Sequence, residues 1–160
     1  MDKTTPLYTT INNCEIEVPK PCCLVIFGVS GDLAKRKLLP SLFRLYTSGM
    51  MPERFFILGT SRSDIGTEGL RQTMLLAVKA AMSGTFDQKA WDAFSGMLYH
   101  AAFEYSDIAA YGPKLRDILP PLELRHQTRG SRIFYLAVPP VVYEDIIRNL
   151  GTAGFAGEET

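Results

Sequence analysis

Apolar positions along this chain switch between continuous short runs and helical spacing, and that alternation predicts its elements. Cys22-Cys23-Leu24-Val25-Ile26-Phe27 is an unbroken apolar run closed by Gly28. It is too short for a helix and β-rich toward its end, which predicts a strand buried on both faces, as in a parallel sheet. Phe55-Phe56-Ile57-Leu58 repeats the pattern and also ends in glycine, Gly59. Tyr99 to Tyr105 is a weaker third candidate, and Ile133 to Val138 a fourth. Helical stripes fill the gaps. Leu38, Leu39, Leu42, Phe43 and Tyr46 share one face, with Gly49 as a stop. Pro40 is tolerable there only in the first turns, so the regular helix is expected to start late. Leu70, Met74, Ala77, Val78 and Ala81 form a second stripe. Thr85 with Gln88 resembles a capping box for a short helix carrying Trp91 and Phe94. Ile108 to Leu119 reads as helical with a possible break at Gly112-Pro113, and Val141 to Leu150 closes the series. Residues 1 to 21 are polar, Thr-rich and without periodicity, and are expected to form a flexible leader ahead of a single folded domain over 22–160.

Strands alternating with helices argue for an α/β fold: a doubly wound, Rossmann-like, mainly parallel sheet with helices on both faces. Composition agrees with a single globular core, at 160 residues, 46% hydrophobic and 21% charged. Seventeen Lys+Arg balance seventeen Asp+Glu, which gives no reason to expect nucleic acid or an anionic membrane as partner. The apolar runs are far below the roughly 20 residues that span a bilayer. No basic segment followed by an apolar one opens the chain, and Cys14, Cys22 and Cys23 have neither disulfide-framework nor metal spacing. These features predict a reduced, cytoplasmic setting and no metal site.

Ligands of open α/β sheets bind beyond the carboxyl ends of the strands, where the strand order reverses. With the order 3-2-1-4, the segments after Gly28, after Gly59 and at Pro139-Pro140 would converge there. In Gly28-Val29-Ser30-Gly31-Asp32-Leu33-Ala34-Lys35, Gly28 permits a sharp turn off the strand and Gly31 a close backbone approach to a pyrophosphate. Ala34 is small enough for the helix to sit against the sheet. The helix start then offers N–H groups and a positive dipole end to phosphate, with Asp32 expected to cap that start. The spacing is G-x-x-G-x-x-A rather than G-x-G-x-x-G, and an ordinary strand-turn-helix with incidental glycines would look the same. After the second strand, Gly59-Thr60-Ser61-Arg62-Ser63 carries no carboxylate for a ribose 2′-hydroxyl. Its guanidinium and hydroxyls suit a 2′-phosphate, and Asp64 is expected to cap the following turn. A solvated surface charge is the commoner fate of a loop arginine; the position past the second strand is what sets Arg62 apart. His100 and His126 have no nucleophile or metal partner in the sequence and read as structural residues. Cys22 and Cys23 read as packed small hydrophobes.

Taken together, these segments resemble the coenzyme-binding domain of the glucose-6-phosphate dehydrogenase family. The resemblance rests on Gly28 to Lys35 continuing through Arg36-Lys37-Leu38-Leu39-Pro40, on Leu58-Gly59-Thr60-Ser61-Arg62-Ser63, and on Phe134-Tyr135-Leu136-Ala137-Val138-Pro139-Pro140 followed by Val142-Tyr143-Glu144. All occur in family order over about residues 22 to 150. It implies that residues 28 to 35 cradle the NADP pyrophosphate, that Arg62 meets the 2′-phosphate, and that Tyr135 lines the coenzyme site. Val29 stands where many members have a smaller residue. The implied reaction oxidises glucose 6-phosphate to 6-phosphogluconolactone, with hydride transfer to NADP in the pentose phosphate pathway. The family's substrate-phosphate segment and catalytic-base histidine match nothing in this sequence, nor does its large second domain. The chain therefore reads as one part of a longer, homo-oligomeric enzyme, unable to turn over glucose 6-phosphate by itself. The alternative is a stand-alone NADP-binding or sensory module that never catalyses; a related fold holding S-adenosylmethionine is a distant third, disfavoured by Arg62.

Overall fold

The computed structural model of the protein describes residues 8–11 and 14–155. Two short strands, β1 (Tyr8–Ile11) and β2 (Cys14–Glu17), pair antiparallel in the segment expected to lack regular structure. The rest of that segment's start and the chain end at Gly157 to Thr160 lie outside the described residues.

Four strands form the main sheet: β3 (Cys22–Phe27), β4 (Phe55–Ser61), β5 (Leu98–Ala102) and β6 (Arg132–Leu136). They run parallel in the order β5-β4-β3-β6, which is the 3-2-1-4 arrangement on which the convergence of the three segments was conditional. Continuous apolar runs suit the two central strands because both of their faces are covered. Ile26, Phe55 and Ile57 face one core, completed by Leu39 and Phe43 of α1 (Leu39–Thr47), Leu70, Met74 and Val78 of α2 (Gly66–Ala81), and Trp91 and Phe94 of α3 (Gln88–Ser95). Cys23, Val25, Phe27, Phe56 and Leu58 face the other, against Tyr111, Leu115 and Leu119 of α4 (Ile108–His126) and Ile146 and Leu150 of α5 (Tyr143–Thr152). Successive residues of a strand point to opposite faces, so one run supplies both cores. Among the described residues, no helix is long and apolar enough to cross a membrane.

Three local readings are corrected. The short helix bearing Trp91 is capped by Asp87, whose carboxylate accepts from the Ala90 N–H at 3.1 Å, and not by Thr85, whose hydroxyl donates to the Met82 carbonyl. Gly112-Pro113 does not break α4, which runs on through Pro120 and Pro121 to His126. Tyr111, Leu115 and Leu119 recur every four residues and are fully buried, and that packing outweighs the missing N–H donors. Asp32 does not cap its helix; it pairs with Arg36 at 2.8 Å, with both side chains about three-quarters exposed. Pro40 conforms to expectation. A π-helical turn over Ala34–Leu38 precedes α1, so the proline falls in the first turn of the regular helix, where an N–H is dispensable.

Candidate functional site

At the carboxyl ends of β3 and β6, where the strand order reverses, lies a crevice of about 360 Å³. Its wall is built from Gly28, Ser30 and Gly31 after β3, Ser61 and Arg62 at the end of β4, Glu104 and Tyr105 after β5, and Ala137 to Pro139 after β6. Gly28 takes φ +84°, and a β-carbon there would come within 2.5 Å of the Ala137 carbonyl oxygen. Only a glycine lets the two loops meet this closely. Gly31 has ordinary φ, with its β-carbon position 3.1 Å from the Gly28 carbonyl. The first backbone bond of the helical run, from Lys35 N–H to the Gly31 carbonyl, leaves the N–H groups of the preceding turn without a carbonyl four residues back. These are the donors that an anion at a helix start uses.

Of the residues expected to contact coenzyme, Gly28, Ser30, Gly31 and Arg62 come together in the crevice wall. Val29 is turned into the core at 1% exposure. A β-carbon on Gly59 would lie 2.7 Å from the Val29 side chain, so Val29 occupies the space that Gly59 leaves empty. Ala34 is fully buried and brings its helix onto the sheet as expected. Asp32 and Leu33 are exposed on the outside of the first helical turn, and Lys35 is half-buried outside the crevice wall. Tyr135 pairs in register with Ile26 and is 40% exposed on the sheet face flanking β6, also outside the wall.

Two side chains anchor these turns, neither of them assigned such a contact from the sequence. The Tyr105 hydroxyl accepts from the Gly28 N–H at 2.7 Å and donates to the Thr60 carbonyl at 2.8 Å. Its own carbonyl accepts from the Asn149 side chain at 3.0 Å, which ties α5 to the same point. Gly28 N–H also lies 3.0 Å from the Thr60 carbonyl. The glycine turn is thereby fixed to β4 from two sides. Burial pushes the Tyr105 phenol above its ordinary pKa, so it remains a neutral donor and acceptor. The second anchor is His100, a strand residue read as structural. Its ring nitrogen Nε2 lies 2.8 Å from the Ser61 hydroxyl, directly beside Arg62. Burial holds its pKa below the ordinary value, with the nearby Asp64 carboxylate acting in the opposite direction. Asp64 accepts from the Gly66 N–H at 3.0 Å and caps the turn into α2, as expected. The only sequence signal for either anchor was its place within or just past the third strand of the sheet.

His126 sits elsewhere, bonded to the Tyr99 hydroxyl at 2.8 Å and packed on Phe56, near the amino-terminal ends of β4 and β5. Cys23 is fully buried and its thiol is pushed up to about 12, mainly by desolvation; Cys22 is half-buried and also raised. Both behave as packed hydrophobes. Among the described residues, no group of three or more His, Cys, Asp or Glu could hold a metal ion.

Comparison with known proteins gives a consistent picture. The sequence profile described as "Glucose-6-phosphate dehydrogenase, NAD binding domain" matches residues 25–160. Glucose-6-phosphate 1-dehydrogenase of Chlamydia pneumoniae is 39% identical over 130 residues, covering 81% of this chain and 25% of that protein. The Bacillus subtilis (strain 168) enzyme of the same name is 39% identical over 131 residues, covering 82% of this chain and 26% of its own. A solved structure titled "Glucose-6-phosphate dehydrogenase in complex with its substrate glucose-6-phosphate" superposes with a TM-score of 0.75 at 31% identity, over 85% of this chain and 28% of that one. The chain thus spans about a quarter of the length of the curated relatives it matches.

Proposed function

Since this chain belongs to the glucose-6-phosphate dehydrogenase family, as its NAD-binding domain, we propose that its crevice binds NADP in an enzyme that oxidises glucose 6-phosphate. The observation that carries the reading is the crevice itself. Gly28, Ser30 and Gly31, just ahead of a helix start, form one wall, and the Arg62 guanidinium directly after β4 stands at the other. The residues present fit a dinucleotide. A β-carbon on Gly31 would project into the approach that a pyrophosphate needs, and the helix start presents N–H donors to it. Arg62 would hold the 2′-phosphate through charge-assisted hydrogen bonds. The coenzyme, when bound, supplies the acceptor for a hydride.

This chain's residues would orient that acceptor and leave the sugar to other parts of the enzyme. Tyr105 and Asn149 fix the glycine turn, so the pyrophosphate meets a preorganised backbone. Related proteins bearing the name glucose-6-phosphate 1-dehydrogenase favour this reading over a non-catalytic sensory module. A cytoplasmic setting and assembly into homo-oligomers complete the proposal.

Calorimetric titration of NADP and NAD against wild type and Arg62→Ala tests it. A charged hydrogen bond to phosphate contributes roughly 1.5–3 kcal/mol, so Arg62→Ala should weaken NADP by about one to two orders of magnitude. NAD affinity should be unaffected. Equal NADP affinity in both proteins would remove Arg62 from the site.

A further inference from the structure

Ser61 has one hydroxyl proton, and it is directed at the Ser63 carbonyl, 2.7 Å away, an atom that can only accept. The His100 ring nitrogen Nε2, 2.8 Å from the same hydroxyl oxygen, must therefore be the donor in that contact. His100 thus carries its proton on Nε2, and Nδ1 faces Asp64 across 3.7 Å. The histidine side chain is 1% exposed, and its backbone N–H is held by the Thr67 hydroxyl at 3.1 Å. Ring and main chain are both anchored in β5, a rigid element. The Ser61-to-Ser63 bond spans a single residue, Arg62.

Among the described residues, Arg62 is the one that lines both the crevice and the groove beside it. It lines the coenzyme crevice on one side, and on the other a groove of about 580 Å³ with Asp64, His100, Lys114 and Asp117. An exposed arginine between two openings has a long side chain and many orientations, which costs rotamer entropy on ordering. What can be fixed in advance is its backbone. The His100–Ser61–Ser63 chain does that, closing the turn around Arg62 from beneath.

We propose that His100 is a positioning residue for coenzyme selection: by donating to Ser61 it fixes the turn that aims Arg62 at the 2′-phosphate. The proposal rests on Arg62 meeting that phosphate and goes beyond it in naming a buried group that never touches the ligand. His100 then governs discrimination between NADP and NAD, while the Gly28–Gly31 wall, which both coenzymes use, is indifferent to it.

NADP and NAD are titrated by calorimetry against wild type, His100→Leu, His100→Gln, Ser61→Ala, Arg62→Ala and the His100→Leu/Arg62→Ala pair. His100→Leu should weaken NADP about tenfold and leave NAD within about twofold, tenfold corresponding to about 1.4 kcal/mol. His100→Gln, whose amide N–H reaches a similar position, should restore most of the loss. Ser61→Ala removes the acceptor without opening a large cavity and should reproduce the NADP-selective loss, even if His100→Leu is too unstable to purify. The double variant should bind NADP no worse than Arg62→Ala alone, because the histidine acts only through the arginine. Unchanged NADP affinity in Ser61→Ala, or equal loss of both coenzymes in His100→Leu, overturns the positioning role. Unchanged affinity in Arg62→Ala instead overturns the underlying assignment of the phosphate subsite.

Discussion

Gly28 and Gly31 lie three residues apart, yet their lack of a side chain does different things. At Gly28 the backbone is left-handed, and a β-carbon would overlap the Ala137 carbonyl and the Val138 side chain, at 2.5 and 2.6 Å. The left-handed conformation alone costs an L-residue roughly 1–2 kcal/mol, before any clash. Gly31 has ordinary φ and only a 3.1 Å approach to the Gly28 carbonyl. Gly28→Ala should therefore lower the melting temperature, whereas Gly31→Val should keep the far-UV circular dichroism spectrum and lose NADP binding. Normal NADP binding by Gly31→Val would reduce the turn to a connector. The glycines and Arg62 were legible in the sequence because their chemistry is local to one turn. Tyr105 and His100 were not, because their partners, Gly28 and Ser61, stand 77 and 39 residues away. Val29 was misjudged for the same reason: its neighbour in a contiguous motif is the crevice, but its neighbour in space is Gly59.

Among the elements, α3 shows how a boundary can be moved by geometry that spacing does not reveal. Thr85 and Gln88 have the spacing of a capping box, but Asp87 adopts the extended conformation of a cap and receives the Ala90 N–H. Asp87→Ala is expected to cost about 1 kcal/mol of stability, as removal of an N-cap typically does. Thr85→Ala, which loses only an exposed 3.4 Å bond to the Met82 carbonyl, should cost far less. Urea unfolding of both variants decides between them; equal losses would restore Thr85 as a cap. In α4 the sequence carries three prolines that argue against a helix, each worth about 3 kcal/mol in an exposed helix interior. Tertiary burial of Tyr111, Leu115 and Leu119 prevails over that local preference. Helix propensity is read along the chain, but the packing that overrides it comes from α5, from β4 and, through the Phe27 ring, from β3.

For the molecule as a whole, the placement of its two histidines bears on catalysis. Oxidising a sugar hydroxyl requires a base for the hydroxyl proton and cationic groups to hold the sugar beside the coenzyme. The His100 side chain is 1% exposed and already bonded to Ser61, while His126 is bonded to Tyr99 near the amino-terminal ends of the strands. On these placements neither is expected to serve as that base at the crevice. The 160-residue chain mixed with NADP and glucose 6-phosphate should give no protein-dependent rise in NADPH absorbance, while a titration of NADP alone should show binding. Turnover that follows the protein through purification would require a base among these residues. The sequence by itself determined the α/β class, the two central strands and the glycine turn and Arg62 that follow them; the strand order entered only as a premise that the structure then supplied. The sequence could do so because continuous apolar runs and chain-local turn chemistry record whether a segment is covered on both faces and where a strand must end. Tertiary structure alone decided which motif residues face the crevice, how far α4 extends, and that a phenol from past β5 and an imidazole within it hold the two turns at the crevice. Those outcomes depend on contacts between segments tens of residues apart, and no spacing along one segment encodes them.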